Sequence, residues 1–161
     1  MNKTLVISTV LLNQAIADLE RPHEFAFERI GFFICHNETN TFLSYDWFSL
    51  EDGFYVESEQ FGALIGADGM QSIMQKAYST QSGMFHFHLH NFQQDPTFSS
   101  VDLHSLRNEM IPSLYNFSQN GIHGGLIKGK KSFNGIYFIK GNSFEFNLTV
   151  KIGVHHDHQK Q

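Results

Sequence analysis

The sequence predicts a mixed α/β fold (α+β in its order of elements), with one sheet of mixed strand directions and helices packed on it. Three observations carry that prediction. A chain of 161 residues is expected to form a single domain with a sizeable core of its own. Several runs alternate apolar and polar residues, and others place apolar residues at helical spacing. The two kinds of run mix without the strict rhythm of a doubly wound parallel sheet.

The elements follow in order. "MNKTLVISTVLLNQAIAD" has a Lys, an apolar run and an Ala-x-Ala ending, as a weak secretory signal has. Thr4, Ser8, Thr9, Asn13 and Gln14 interrupt the run too often for that reading. A strand from Leu5 to Ser8 is predicted instead, then a helix with Leu11, Leu12, Ala15, Ile16 and Leu19 on one face, ending near Arg21-Pro22. "ERIGFFICHN" (28–37) and "TFLSYDWFSL" (41–50) read as strands of a hairpin, and "EDGFYVESEQFG" (51–62) as a loop with a short extended piece. "GADGMQSIMQKAYST" reads as a helix, and "GMFHFHLH" as a strand. In that strand Phe85, Phe87 and Leu89 point one way and His86, His88 and His90 the other. A helix then begins near Ser99, capped by Ser99 or Ser100, and Pro112 should end or kink it. "GGLIKG", "FNGIYFIK" and "FEFNLTVKIGV" are three further strands. Residues 153–161 read as a polar tail containing His155, His156 and His158, which leaves 1–152 as the domain.

Composition narrows the function classes. A net charge of −5 argues against binding a nucleic-acid backbone, which needs basic patches. No run approaches the ~20 apolar residues of a membrane-spanning helix. The single cysteine, Cys35, rules out an internal disulfide framework and fits a reducing, cytoplasmic compartment. It reads as a core thiol.

The stretch "HFHLHNFQQDPTFSSVD" (86–102) carries the chemistry. His88 and His90 share a strand face roughly 7 Å apart along the chain, so their imidazoles can converge on one ion. Zinc takes N, O or S ligands in tetrahedral geometry, and a catalytic site keeps three protein ligands and one open place. Asp102, one turn into the next helix, is the natural third ligand once the loop with Pro96 folds back. Two neutral histidines and one carboxylate leave a net positive charge that helps ionise water and polarise a carbonyl. A His86, His88, His90 site is the competing arrangement. Ser99 lies on the same helix face as Asp102, where its hydroxyl can donate to an oxyanion and also cap the helix. His104 reads as a surface residue or one behind the ligands. A hydrolytic site also needs a proton carrier. Glu28, opening an apolar strand where an unpaired carboxylate is costly, is the candidate, with Glu24 and Glu20 in competition.

His88, His90, Ser99 and Asp102 meet the spacing His-x-His-x8-Ser-x2-Asp without a gap. That spacing resembles the JAMM motif of MPN-domain metallopeptidases, which also carry a Glu three residues before a Gly on an early strand, matched by Glu28-x-x-Gly31. The order of elements over roughly residues 4 to 150 is similar as well. "RIGFFICHN", "DGFYVES", "PTFSSVD" and "HGGLIKG" look closest to small prokaryotic members encoded beside ubiquitin-like proteins and their activating and conjugating enzymes, including antiphage operons of the Bil type. The resemblance implies a curved MPN-type mixed sheet flanked by helices, of cytidine-deaminase-like architecture. It implies one Zn²⁺ held by His88, His90 and Asp102, with Glu28 as general base and then acid, and Ser99 stabilising the tetrahedral intermediate. The activity implied is deubiquitinase-like: an isopeptidase acting on a ubiquitin-like protein or its conjugates, with 51–62 as a wall for the substrate's tail. The alternatives are a non-catalytic MPN-fold binding module and a zinc peptidase acting on small peptides. Two positions depart from the family pattern: Leu89 stands where Ser or Thr is usual, and Asn91 where Pro is usual. Leu89 faces away from the ligands, whereas Asn91 removes a constraint on the loop leading to Ser99.

Overall fold

A computed structural model describes residues 2–23, 28–57 and 63–151. The elements run β1 (Thr4–Ser8), α1 (Thr9–Leu19), β2 (Gly31–Asn37), β3 (Thr41–Ser49), α2 (Ala67–Thr80), β4 (Gly83–Leu89), α3 (Ser100–Ser105), a π-helical stretch (Leu106–Met110), α4 (Ile111–Phe117), β5 (His123–Lys128), β6 (Phe133–Ile139), β7 (Asn142–Glu145) and β8 (Asn147–Lys151). The eight strands form one mixed sheet in the order β7-β6-β5-β4-β2-β3-β1-β8. β4–β5, β1–β3 and β1–β8 are parallel, and the other neighbours are antiparallel.

The sheet curls until its two edges nearly meet, which makes it barrel-like. β7 and β8 sit on opposite edges, yet only Phe146 separates them in the chain. The predicted single strand through "FEFNLTVKIGV" is therefore two strands; residues 152–161, with the tail, lie outside the described residues. Phe146 causes the break. Its ring turns into the core over Gly135, where a Cβ would stand 2.1 Å from Cζ. Its N–H donates to the Gly135 carbonyl at 3.2 Å. Only glycine leaves room there, so "FNGIY" is a socket as well as a strand.

Both faces of the central strands are covered, and the alternation of their side chains sorts them into two clusters. Phe33, Phe85, Phe87 and Tyr137 pack with Leu5, Leu11 and Ala15 on the β1 and α1 side. Phe32, Ile34, Met84, Ile136 and Phe138 pack with Ile73 of α2, Leu106 and Leu114 on the other side. His86 and His88 share the parity of Met84, so they face the side that carries α3. That parity brings the histidines to Asp102.

Pro112 does not end the third helical segment; it lies in the first turn of α4. A proline lacks the N–H its i−4 carbonyl needs and crowds that carbonyl. The ladder is already widened by the π-helical stretch just before it, with Ile111 N–H bonded to the Leu106 carbonyl. The chain passes through helically, and Leu106, Met110, Ile111 and Leu114 all stay buried.

His123, fully buried at the start of β5, fastens β4. Its Nδ1 accepts from Met84 N–H at 3.0 Å, and its Nε2–H donates to the Ser118 carbonyl at 2.8 Å. An amide N–H can only donate, so this ring is the neutral Nε2–H form. Burial pushes its pKa down to about 4, only partly opposed by the bond to Ser118. Among the described residues no helix is long and apolar enough to cross a membrane.

Candidate metal centre

Three atoms converge where β4 ends and α3 begins. His88 Nε2 stands 2.8 Å from His90 Nε2, and Asp102 Oδ2 is 3.5 and 3.4 Å from them respectively. Two ligands of a tetrahedral zinc with bonds of about 2.0–2.1 Å keep about 3.3 Å between them. The circle through the three observed atoms has a radius of about 1.9 Å, slightly less than one such bond. The donor set fits zinc in chemistry and in spacing. Both imidazoles are almost wholly buried, while Asp102 keeps a fifth of its side-chain surface in solvent.

His86 takes no part in this convergence. Its Nδ1 lies 3.4 Å from the opposite nitrogen of the His88 ring, Nδ1, and its ring meets Phe32 edge-on. His104 is exposed on α3 and pairs with the Asn108 amide. Buried Cys35 is held protonated: burial raises its pKa, and the nearby Ser44 hydroxyl opposes this only in part.

Asp102 is set in place by its own helix start. Ser99 caps α3: its Oγ accepts from Asp102 N–H at 3.0 Å, and its N–H donates to Asp102 Oδ2 at 3.1 Å, a reciprocal capping box. Burial by itself would raise the Asp102 pKa. The hydrogen bond and charge of His88, with hydrogen bonds from the Ser99 N–H and hydroxyl to the carboxylate, outweigh it and hold the carboxylate ionised well below the usual range. Ser99 Oγ accepts from Asp102 N–H, and its exposed hydroxyl stands beside the Asp102 carboxylate that it helps to hold ionised.

Glu28 reaches the same point from another part of the chain. One of its carboxylate oxygens lies within 4.8 Å of nitrogens of both His88 and His90. Burial raises its pKa; the two histidines pull it down and Asp102 pushes it up. It does not open a strand as predicted, because β2 starts at Gly31. The two residues after Glu28 spend their hydrogen bonds elsewhere. The buried Arg29 guanidinium donates to the carbonyls of Arg21 and Pro22, both at 2.9 Å, and to Asp52 Oδ1 at 2.6 Å. That bond holds the exposed Asp52 carboxyl below its ordinary pKa, ahead of a small opposing effect of burial. Ile30 N–H donates to Tyr55 Oη at 2.9 Å, and Tyr55 O–H returns to the Ile30 carbonyl at 3.1 Å. The Glu28 segment is thus pinned by the 51–57 loop. Of the predicted substrate wall, 58–62 lies outside the described residues. The competing Glu20 is exposed at the end of α1, and Glu24 lies outside the described residues.

Asp102 and Glu28 thus both stand near the histidine pair, but Asp102 is at ligand spacing and Glu28 is farther off. The closer carboxylate is the one held ionised, as a ligand must be. The farther one has the pKa pushed up, which suits a group that takes and gives a proton.

The loop with Asn91 in place of Pro is fastened by other means. His90 N–H bonds to the Lys128 carbonyl at 2.7 Å; Lys130 and Lys131 N–H bond to the carbonyls of Gln93 and Gln94 at 2.8 and 2.9 Å. Ser132 Oγ–H donates to Asp95 Oδ1 at 2.8 Å. Gln93 Oε1 accepts from Thr97 N–H at 3.2 Å and lies 3.0 Å from His90 Nδ1. Sequence reasoning missed Gln93; the signal was a carboxamide three residues after a ligand histidine.

No protein-family model matches the chain, and no curated protein matches it. Among solved structures it is similar to the solution structure of protein DSY2949 from Desulfitobacterium hafniense. The TM-score is 0.52 at 12% identity, over 96% of this chain and 98% of that one. At that identity the likeness is one of fold alone.

Proposed function

We propose that the chain is a zinc-dependent isopeptidase that hydrolyses the bond after the C-terminus of a ubiquitin-like protein, either on a lysine conjugate or on a precursor. One observation carries the reading: His88 Nε2, His90 Nε2 and Asp102 Oδ2 lie at tetrahedral-ligand spacing, with Glu28 facing the two imidazoles. The resemblance of the His-x-His-x8-Ser-x2-Asp spacing and of Glu28-x-x-Gly31 to the JAMM motif supports it, and an MPN-type architecture is compatible with the mixed, nearly closed sheet. The same resemblance suggests a bacterial, cytoplasmic antiphage pathway with activating and conjugating enzymes as neighbours.

His88, His90 and Asp102 would hold a zinc ion, which would supply a Lewis acid to polarise a carbonyl and make water acidic near neutral pH. Glu28 takes a proton from the attacking water as its oxygen bonds to the carbonyl carbon. It then gives that proton to the amine nitrogen as the carbon–nitrogen bond breaks, so the carboxylate ends as it began. The exposed Ser99 hydroxyl, turning from Asp102, donates to the oxygen on which negative charge builds.

The experiment is metal analysis of the purified protein together with cleavage of a lysine-linked ubiquitin-like reporter. Glu28→Gln should retain one zinc per chain and lose cleavage by about 10²–10⁴-fold. Wild-type turnover in that variant refutes the role of Glu28. Absence of stoichiometric zinc from the wild type refutes the reading altogether and leaves a binding module.

A further inference from the structure

The two histidines of the centre are not held alike. His90 is almost fully buried, with Phe92 stacked on its face at a centroid distance of 5.3 Å. Its Nδ1 lies 3.0 Å from Gln93 Oε1. An amide group can be turned either way, so that contact alone leaves the direction of the bond open. Thr97 decides it. Its backbone N–H can only donate, and it points at the same Gln93 atom, 3.2 Å away. Turning the amide over would set its NH₂ group against that N–H. The atom between Thr97 and His90 is therefore the oxygen, and His90 Nδ1 must be the donor.

Gln93 is itself anchored. Its N–H donates to the His90 carbonyl at 3.1 Å, and its carbonyl accepts from Lys130 N–H at 2.8 Å. Among the described residues His88 has no comparable lock: its Nδ1 faces another imidazole nitrogen, that of His86, at 3.4 Å.

We propose that Gln93 is a positioning residue: it presets His90 in the Nδ1–H tautomer, leaving Nε2 bare and aimed at the centre before any metal arrives. The side chain does what a partner behind a metal ligand does in general, fixing both the tautomer and the ring direction. It also supplies locally the order that the missing proline after His90 does not. The consequence for metal affinity rests on the zinc reading above; the tautomer does not.

The test uses the full chain. In metal-free protein, long-range ¹H–¹⁵N spectra of the imidazoles should show His90 protonated at Nδ1. Finding it protonated at Nε2 in the wild type overturns the proposal, whatever the variants do and whether or not the protein binds zinc. Gln93→Met keeps length but offers only a weak thioether acceptor. It should give a mixture of His90 tautomers and weaken Zn²⁺ binding, measured by chelator competition, about 10–100-fold. An unmixed Nδ1–H tautomer and wild-type affinity in a folded Q93M overturn it. Should Q93M not fold, Gln93→Glu decides. Its carboxylate still accepts from Thr97 and His90, so it should keep the Nδ1–H form and bind Zn²⁺ at least as tightly as wild type. Loss of that tautomer in Q93E overturns the assignment. Failure of the wild type to bind Zn²⁺, with the tautomer as stated, removes the zinc reading and leaves this one standing.

Discussion

Replacing His123 with asparagine isolates one source of acid sensitivity. In the folded chain Met84 N–H occupies the only lone pair of this imidazole, at 3.0 Å, and no solvent reaches the ring to hydrate an imidazolium. The folded pKa is pushed down to about 4, against an ordinary value of 6.5. As pH falls through 6.5 the unfolded chain takes up the proton first, so stability is lost from there down and levels off below 4. Each unit of difference is worth about 1.4 kcal/mol, so the full window removes about 3 kcal/mol. That is a large share of the ~5–15 kcal/mol typical of a domain. The asparagine cannot titrate, although its Oδ1 can still accept from Met84. At pH 7 the variant should be less stable by about 1–3 kcal/mol, because the Ser118 carbonyl loses its donor. The assay is urea unfolding of wild type and H123N at pH 7.0, 5.5 and 4.2, with free energies extrapolated to water. The wild-type advantage should shrink by about 3 kcal/mol across that range. Parallel pH profiles for the two proteins would refute the reasoning, since every other titrating group is common to both.

Three further outcomes are expected. Ser99→Gly should cost only a few tenths of a kcal/mol in thermal stability, because glycine is a tolerable cap, whereas Ser99→Ala should cost about 1 kcal/mol. Both should lower turnover about 10²–10³-fold by loss of the hydroxyl donor, so equal stability loss in the two variants, or wild-type turnover in either, counts against the assigned roles. Gly135→Ala should destabilise by about 1–3 kcal/mol, since its Cβ would fall 2.1 Å from the Phe146 ring; in a double-mutant cycle by urea unfolding this cost should largely vanish beside Phe146→Ala. Zinc at a hundredfold excess over its dissociation constant should raise wild-type stability by about 2.7 kcal/mol in the same assay, and Asp102→Asn should abolish that gain.

The centre was legible where its parts are close in sequence. His88, His90, Ser99 and Asp102 fall on one strand end, one loop and one helix start, and the alternation of β4, carried one residue past its end at Leu89, predicts both imidazoles on a single face. Glu28 was visible mainly through the family spacing. What holds it, Arg29 against Arg21, Pro22 and Asp52 and Tyr55 against Ile30, joins segments that no local pattern connects. The strand break at Phe146 was hidden for a related reason. "FEFNLTVKIGV" keeps strand character throughout, and the break comes from the space that Gly135 leaves on another strand. Pro112 misled because a proline rule presumes an α-helical ladder, whereas the ladder before it is π-helical.

The closure of the sheet has a bearing on birth order. β2, β3, β4 and β5 find their neighbours among strands made close to them in time, so the part of the sheet that carries the histidines can pair while synthesis continues. Among the described strands β1 precedes the others, yet its parallel partner β8 comes after them: Thr4 must wait for Asn147. Until then β1 presents an open edge, held only by β3. On the ribosome the half of the sheet that carries the histidines can thus be assembled before the seam is sealed, and until then the chain is most exposed to wrong pairing at β1.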